Sequence, residues 1–485
     1  MNEGTQTLRY AVRPPVLAKY LGQLALVLAM LSLMPLAVSL YFAEYAITLR
    51  YLIAIPVLLL GFHYSRRLPA PAQIQQNEAL VIVALAFLLS PLLSLFTMTA
   101  SGLSMGEALF ESISGITTTG LSTLDNLHER PQTLLFTRAW LQWYGGLGIV
   151  VLSIALVAGN RASSRRLAEP PSGEGLVTTT RHYARRILIV YLLLTLLAIF
   201  LLLPGMDAFT AITHALSAVS TGGFSTFDES LNGLDTRVGA LMVVVIGLCG
   251  AIPLHLYYRF PQRGPAKTLW DIELRSLLLL TLLFSCALTL FLQHNGMDWG
   301  EALMHGLIQG ISAQSTSGFG TLDIGTLDDG SKLTLILSMF VGGGFGSTAG
   351  GIKLLRLLIL LRLIQLLLQR SALPTHALTP PRLAGRQLEE RDIQSALLLI
   401  LLFLLVITGS WMVFVAYGYP PLDALFEVVS AGATVGLSTG ITSAQLEPEL
   451  KALLCFDMLL GRLEVVALLV VLYPPTWFSK RTVSR

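Results

Sequence analysis

The chain has 485 residues, 54% of them hydrophobic and 13% charged, with a formal net charge of +3. Soluble domains carry about 25% charged residues, so the composition excludes an ordinary soluble enzyme and points to lipid. The net charge says little by itself; its distribution along the chain says more.

Apolar runs with few charges fall at residues 21–41, 79–98, 187–203, 277–292 and 396–417. About 20 residues at 1.5 Å each cross about 30 Å of hydrocarbon, so these read as spanning helices. The first is part of an amino-terminal pair, residues 17–42 and 46–64. No secretory signal precedes it: residues 1–13 are polar and the run has no small-residue cleavage site, so it is expected to remain as the first span. Cys249, Cys286 and Cys455 each lie inside an apolar run, widely separated. They give no disulfide or zinc signature and read as small buried hydrophobes.

Basic residues cluster in alternate connections: Arg66 and Arg67; Arg161, Arg165, Arg166, Arg181, Arg185 and Arg186; Arg259, Arg263 and Lys267. A fourth connection carries Lys353, Arg356, Arg362, Arg370, Arg382, Arg386 and Arg391, and the carboxyl tail adds Lys480, Arg481 and Arg485. The intervening connections are acidic: Asp125 and Glu129; Asp228, Glu229 and Asp235; Asp323, Asp328 and Asp329; Glu447 and Glu449. The positive-inside rule makes the basic set cytoplasmic, with both termini, so an even number of full crossings is expected. The two long basic connections are the natural docking surface for an acidic cytosolic partner or for anionic lipid.

Each acidic connection opens with one hexamer: Thr, any residue, Gly, Leu or Phe, Ser or Gly, Thr. The copies are Thr118-Thr119-Gly120-Leu121-Ser122-Thr123, Thr221-Gly222-Gly223-Phe224-Ser225-Thr226, Thr316-Ser317-Gly318-Phe319-Gly320-Thr321 and Thr434-Val435-Gly436-Leu437-Ser438-Thr439. One copy would be weak evidence; four at equivalent places are an internal repeat. Six residues before each glycine stands a serine (Ser114, Ser217, Ser312, Ser430), and nine before stands Glu111, His214, Gln309 or Glu427. These segments of about 12–14 residues are too short to span, which marks re-entrant half-helices. Each repeat therefore reads as outer helix, half-helix, extended loop and inner helix.

Non-helical backbone at membrane depth is tolerated only inside protein or against a water-filled cavity. Four such loops on one axis would present rings of carbonyls in place of an ion's hydration shell. Half-helices entering from outside aim their negative carboxyl ends at the axis, which favours a cation. Glycine permits the backbone angles that turn successive carbonyls inward. The polar residue nine positions back lies about two turns away from the loop, so a structural role, tying half-helix to loop or to a neighbouring repeat, is favoured over ion ligation.

Residues 342–351 place six glycines, Gly342, Gly343, Gly344, Gly346, Gly350 and Gly351, inside an otherwise apolar run. Each costs about 1 kcal/mol relative to Ala in a helix, so the third inner helix should unwind into a loop beneath the filter, a gate. Helix packing through small residues explains Gly145 and Gly146 instead. Counting 26 residues on from Gly120, Gly223, Gly318 and Gly436 lands on Gly146, Cys249, Gly344 and Arg462. Equal spacing places all four at one depth. An arginine there costs about 2.5–3.5 kcal/mol on insertion scales and needs a partner. Asp457 and Glu464 are available, but carbonyls freed in residues 342–351 are favoured, with Arg462 holding the loop across the pore, a full layer below the filter.

The hexamers, the run from Gly342 to Lys353, Trp143-Tyr144-Gly145-Gly146-Leu147-Gly148 and Gly461-Arg462-Leu463-Glu464 resemble the Trk/Ktr/HKT superfamily of potassium transporters, most closely its bacterial Trk-system membrane subunits. The resemblance runs from about Glu78 onward, and the amino-terminal helix pair is similar to one that those subunits carry. It implies an all-α integral membrane protein with a pseudo-fourfold, potassium-channel-like pore in one chain. It implies K⁺ coordination by Thr118, Thr119, Thr221, Gly222, Thr316, Ser317, Thr434 and Val435 with Gly120, Gly223, Gly318 and Gly436. Serine at the first filter glycine accompanies Na⁺ transport in some plant members, so glycine in all four loops matches the K⁺-selective pattern. It further implies a homodimer in the bacterial inner membrane and a cytosolic, nucleotide-binding regulatory subunit. No dinucleotide fingerprint comes after a strand in this chain, so no cofactor and no nucleic acid is expected to bind it.

The expected division is residues 1–75 as the extra pair, then pore repeats at 76–160, 161–262, 263–380 and 381–485. A Na⁺ or poorly selective cation pathway is the nearest rival, and passive and H⁺-coupled flux both fit. A membrane enzyme is disfavoured because HExxH, GxSxG and polar catalytic clusters are missing.

Overall fold

The computed structural model describes residues 11–69, 74–159, 176–234, 236–372 and 380–478. Arg161, Arg165, Arg166, Asp235, Lys480, Arg481 and Arg485 lie outside the described residues. Among the described residues the protein is all-α apart from a short antiparallel ladder, Arg382–Leu383 with Arg386–Gln387. Six described helices are long and apolar enough to cross a membrane, and a seventh candidate is a pair bent by 84°. Leucines such as Leu196, Leu282 and Leu405 point outward from them. Such exposure would be ruinous in water but suits hydrocarbon, and the chain is a multi-pass membrane protein.

The amino-terminal pair is Pro14–Tyr41 and Tyr45–Arg66. A Cβ at Gly22 would strike the Ser65 side chain, so the two helices approach closely there. The pair is bonded to the first pore repeat. Glu44 accepts from the N–H groups of Gln132 and Thr133 at 2.8 and 3.0 Å, capping the first inner helix. Trp140 Nε1 donates to the Leu31 carbonyl at 2.9 Å, and Arg13 pairs with buried Glu78 at 2.6 Å.

The rest of the chain repeats one pattern four times. The outer helices are Gln76–Met98, Leu176–Leu202, Ile272–His294 and Glu390–Ala416. The short helices are Met105–Ile116, Ala208–Val219, Trp299–Ser315 and Pro421–Gly432, and three are 12 residues long. The third has 17 because Asp298 caps it about one turn earlier at its outer end. Capping fixes the other starts: Ser104 and Glu107 form a capping box, Asp207 accepts from Thr210 N–H, and Pro421 stands in the first turn.

The inner helices begin as Gln132–Gly159, Arg237–Ala251, Asp329–Val341 and Pro448–Arg462. One break was expected; three occur. The third inner helix stops at Val341 and resumes at Leu354–Ser371, as the glycine run requires. The second bends by 84° before Leu254–Leu269, because Pro253 lacks an N–H and drives Ile252 to φ −73°, ψ 137°. The fourth breaks at Glu464 and Val465, both at positive φ, before Val466–Leu472.

Candidate functional site

Each short helix ends in a Schellman motif. The N–H of the first hexamer threonine bonds back three residues and that of the next residue bonds back five, to the carbonyl of Ser114, Ser217, Ser312 or Ser430, at 2.8–2.9 Å. The left-handed position that glycine normally takes is held here by Thr118, Thr221, Thr316 and Thr434, at φ 51–54°. A β-branched residue there is strained, and such strain gathers at functional sites. Sequence inspection assigned positive φ to the glycines alone. Ser114 and Ser430 add a second bond, their hydroxyls accepting from the N–H of Gly120 and Gly436 at 3.1 and 3.0 Å.

The four loops close into a ring. Gly120, Gly223, Gly318 and Gly436 stand at φ 92°, 85°, 70° and 97°. A Cβ on each would strike a carbonyl oxygen of the next loop: Gly222 for Gly120, Ser317 for Gly223, Val435 for Gly318, and Thr119 for Gly436. The order runs one, two, three, four and back to one. Glycine is thus needed both for backbone angle and for inter-loop space. The structure brings all twelve candidate filter residues together around this ring, and the hydroxyls of Thr118 and Thr434 are buried without a bonded partner among the described residues.

The polar residues nine positions back clamp the descending strands. Glu427 Oε1 accepts from Ser438 Oγ, Thr439 N–H and Thr439 Oγ1, and its Oε2 from Thr442 Oγ1 at 2.7 Å. Glu111 accepts from Ser122 Oγ and Thr123 N–H and pairs with buried Arg138 at 2.9 Å. His214 bonds Ser225 Oγ at 3.1 Å, and Gln309 accepts from Thr321 N–H. Arg138 Cζ also lies 4.0 Å from the Phe224 ring centroid, joining the first repeat to the second. All four residues tie half-helix to loop, the structural role expected of them.

Next to the ring, residues 342–353 form a loop bonded to the hexamers and to the inner helices. Gly342 ends its helix at φ 69°, ψ −157°, a region essentially reserved for glycine. Gly344 N–H bonds the Ala251 carbonyl at 3.1 Å, Thr348 N–H that of Gly250 at 3.2 Å, and Gly351 N–H that of Ala433 at 3.0 Å. Arg462 Nη1 donates to the Thr348 carbonyl at 2.8 Å and Nη2 to that of Gly145 at 3.3 Å. Carbonyls are therefore its partners, because Asp457 bonds Ser410 and Glu464 pairs with Arg356. Gly145 packs against the Ile116 carbonyl, the close approach that small residues permit.

One expectation needs correction. No full layer separates this loop from the hexamers. Gly350 N–H donates to Thr316 Oγ1 at 2.8 Å, and Thr221 Oγ1 meets Thr348 Oγ1 at 3.3 Å. Three loop contacts also had no signal in the repeat: Gln314 Nε2 to the Gly342 carbonyl at 2.7 Å, Glu273 Oε2 to Phe345 N–H at 2.7 Å, and Lys353 Nζ to the Ala349 carbonyl. Lys353 and Arg356 thus leave the basic docking surface and turn inward; Arg370, Arg382 and Arg391 remain exposed.

Comparison with known proteins agrees with this architecture. The family model TrkH, described as cation transport protein, matches residues 51–475. The chain is 33% identical over 388 residues to the Trk system potassium uptake protein TrkH of Salmonella typhimurium, covering 77% of this chain and 80% of that protein. It is 30% identical over 489 residues to the Trk system potassium uptake protein TrkI of Halomonas elongata, covering 98% of each. The crystal structure of the potassium transporter TrkH from Vibrio parahaemolyticus superposes with a TM-score of 0.85 at 27% identity, covering 96% of this chain and 99% of that one. The match in sequence across most of the length, and in fold across nearly all of it, makes this chain a member of the TrkH family of cation transport proteins.

Proposed function

We propose that the chain takes up K⁺ across the bacterial inner membrane through one pore, with both termini cytoplasmic. The four hexamers form its selectivity filter and residues 342–351 with Arg462 its gate. The observation that carries this reading is the closed ring of glycines and neighbouring carbonyls, each loop entered through a threonine at positive φ. Rings of carbonyls replace a cation's water at close quarters, and the carboxyl ends of four short helices add negative potential there. The unpartnered hydroxyls of Thr118 and Thr434 suit an ion or its last water at the base of the filter. The names of the relatives supply the ion: Trk system potassium uptake proteins and a potassium transporter. The word system in the relatives' names supports partnership with further components, and we take these to be a second copy of the chain and a cytosolic nucleotide-binding subunit on its basic face.

The test is ⁸⁶Rb⁺ uptake into liposomes holding the purified chain, with Na⁺ and pH gradients varied independently. Native protein should prefer Rb⁺ to Na⁺. Serine at Gly120, Gly223, Gly318 or Gly436 should admit Na⁺, because its Cβ pushes the next loop's carbonyl out of the ring. Unchanged ion ratios in all four variants would overturn the filter assignment.

A further inference from the structure

In three of the four repeats the residue before the filter glycine buries its side chain against its own half-helix or in the core. Thr119 Oγ1 bonds Thr117 Oγ1 at 2.8 Å, Ser317 Oγ meets Ser315 and Ser312 hydroxyls at 3.1 and 3.3 Å, and Val435 is fully buried. The second repeat has Gly222 at this place, although its φ lies outside the left-handed region and its backbone does not require glycine. The space is filled from the first repeat instead. A Cβ on Gly222 would strike Cδ and Oε1 of Gln142, a fully buried side chain on the first inner helix.

Gln142 makes three hydrogen bonds there. Its Nε2 donates to the Gly222 carbonyl at 2.6 Å; its Oε1 accepts from Ser217 Oγ at 2.7 Å and from Phe224 N–H at 3.2 Å. The partners fix which end of the amide is which, since a carbonyl can only accept and a backbone N–H can only donate. One side chain therefore brackets Gly223 on both sides. No equivalent tether reaches the carbonyls of Thr119, Ser317 or Val435 among the described residues.

We propose that Gln142 is a positioning residue for ion selection: it stands in for the missing side chain of Gly222 and holds that carbonyl at a fixed radius. This rests on the filter reading above. A carbonyl held by an amide cannot move inward to meet a smaller ion, and it shares its lone pairs, so the ring has one ligand unlike the other three. The tether works against Na⁺, which needs the closer approach.

Its test compares ⁸⁶Rb⁺ and ²²Na⁺ uptake in liposomes, with the thermal midpoint of each purified variant. Gln142→Leu should lower the Rb⁺/Na⁺ ratio about fivefold, the worth of about one net hydrogen bond. Gly222→Ser alone should lose uptake, since its side chain meets Gln142. Gln142→Ala combined with Gly222→Ser should regain uptake but keep the lowered ratio, because the serine then fills the space as Ser317 does in the third repeat while nothing holds the Gly222 carbonyl. Should Gln142→Leu not fold, the pair decides: uptake restored over Gly222→Ser with a lowered Rb⁺/Na⁺ ratio supports the role, and restored uptake with a native ratio, or no restoration, overturns it. A native ratio in folded Gln142→Leu, with Gly223→Ser shifting the ratio, overturns this inference alone. A native ratio in both overturns the filter reading beneath it.

Discussion

Glu111 and Glu427 occupy the same place in two repeats, but different partners give them different weight. Glu427 is satisfied by hydroxyls and one N–H, and Gln309 already fills the same place in the third repeat with an amide. Glutamine at 427 can still accept at Oε1, and Thr442 can turn to accept from the new amide. Glu427→Gln should shift stability by no more than about 1 kcal/mol. Glu111 balances Arg138, which is 1% exposed. Removing one partner of a buried pair leaves an uncompensated charge, so Glu111→Gln should destabilise by about 3 kcal/mol or more. Thermal midpoints in detergent would check the contrast, and equal shifts would refute it. The repeat made the clamp legible because four polar residues recur at one offset. Gln142 and Gln314 were not legible: each acts once, Gln142 across repeats and Gln314 on the loop of its own repeat, so no second copy marks it.

Among the elements, the broken inner helices show how far glycine and proline reveal structure and where they stop. Six glycines announce the third break, and a single proline, Pro253, signals the second. Nothing in the sequence announces the fourth, where Glu464 and Val465 adopt φ 53° and 63° beside the Arg356 ion pair. The loop between Val341 and Leu354 has two kinds of anchor, and these predict separable phenotypes. Arg462 ties it to the first repeat through Gly145, without touching the hexamers. Arg462→Ala should therefore raise uptake about tenfold, the worth of roughly one charge-assisted bond, with the Rb⁺/Na⁺ ratio kept. Thr316 is itself a hexamer residue and accepts from Gly350. Thr316→Val should change rate and ratio together, since it frees the loop and disturbs a filter strand. Native or lower uptake in folded Arg462→Ala would refute the restraining role, as would an altered ratio with an unchanged rate.

At the scale of the whole molecule, the loop is the start of a connection to the basic face. It runs directly into Leu354–Ser371, where Arg356 pairs with Glu464 beside the fourth break. Farther along that helix, Arg362 Nε donates to the Arg382 carbonyl at 2.8 Å, joining it to the two-residue ladder. Charge pattern groups these residues into one basic connection, but only packing separates the inward Lys353 and Arg356 from the outward arginines later in the chain. A regulatory subunit on this face would grip the helix that leaves the gate, so force would reach residues 342–351 through one rigid element. That division sets the surface variant: Arg362, Arg370, Arg382 and Arg391 changed together to glutamine, with Lys353 and Arg356 kept. Uptake by the chain alone should stay native, because no changed residue touches the filter or the loop. The response of uptake to added regulatory subunit and its nucleotide should fall by about tenfold or more in affinity, as four screened surface charges contribute about 0.3–0.5 kcal/mol each. That loss should shrink as salt is raised in the wild-type comparison, since surface attraction is screened over about 8–10 Å. Native affinity in the variant would place the subunit elsewhere, and lost basal uptake would show that these arginines serve the pore instead.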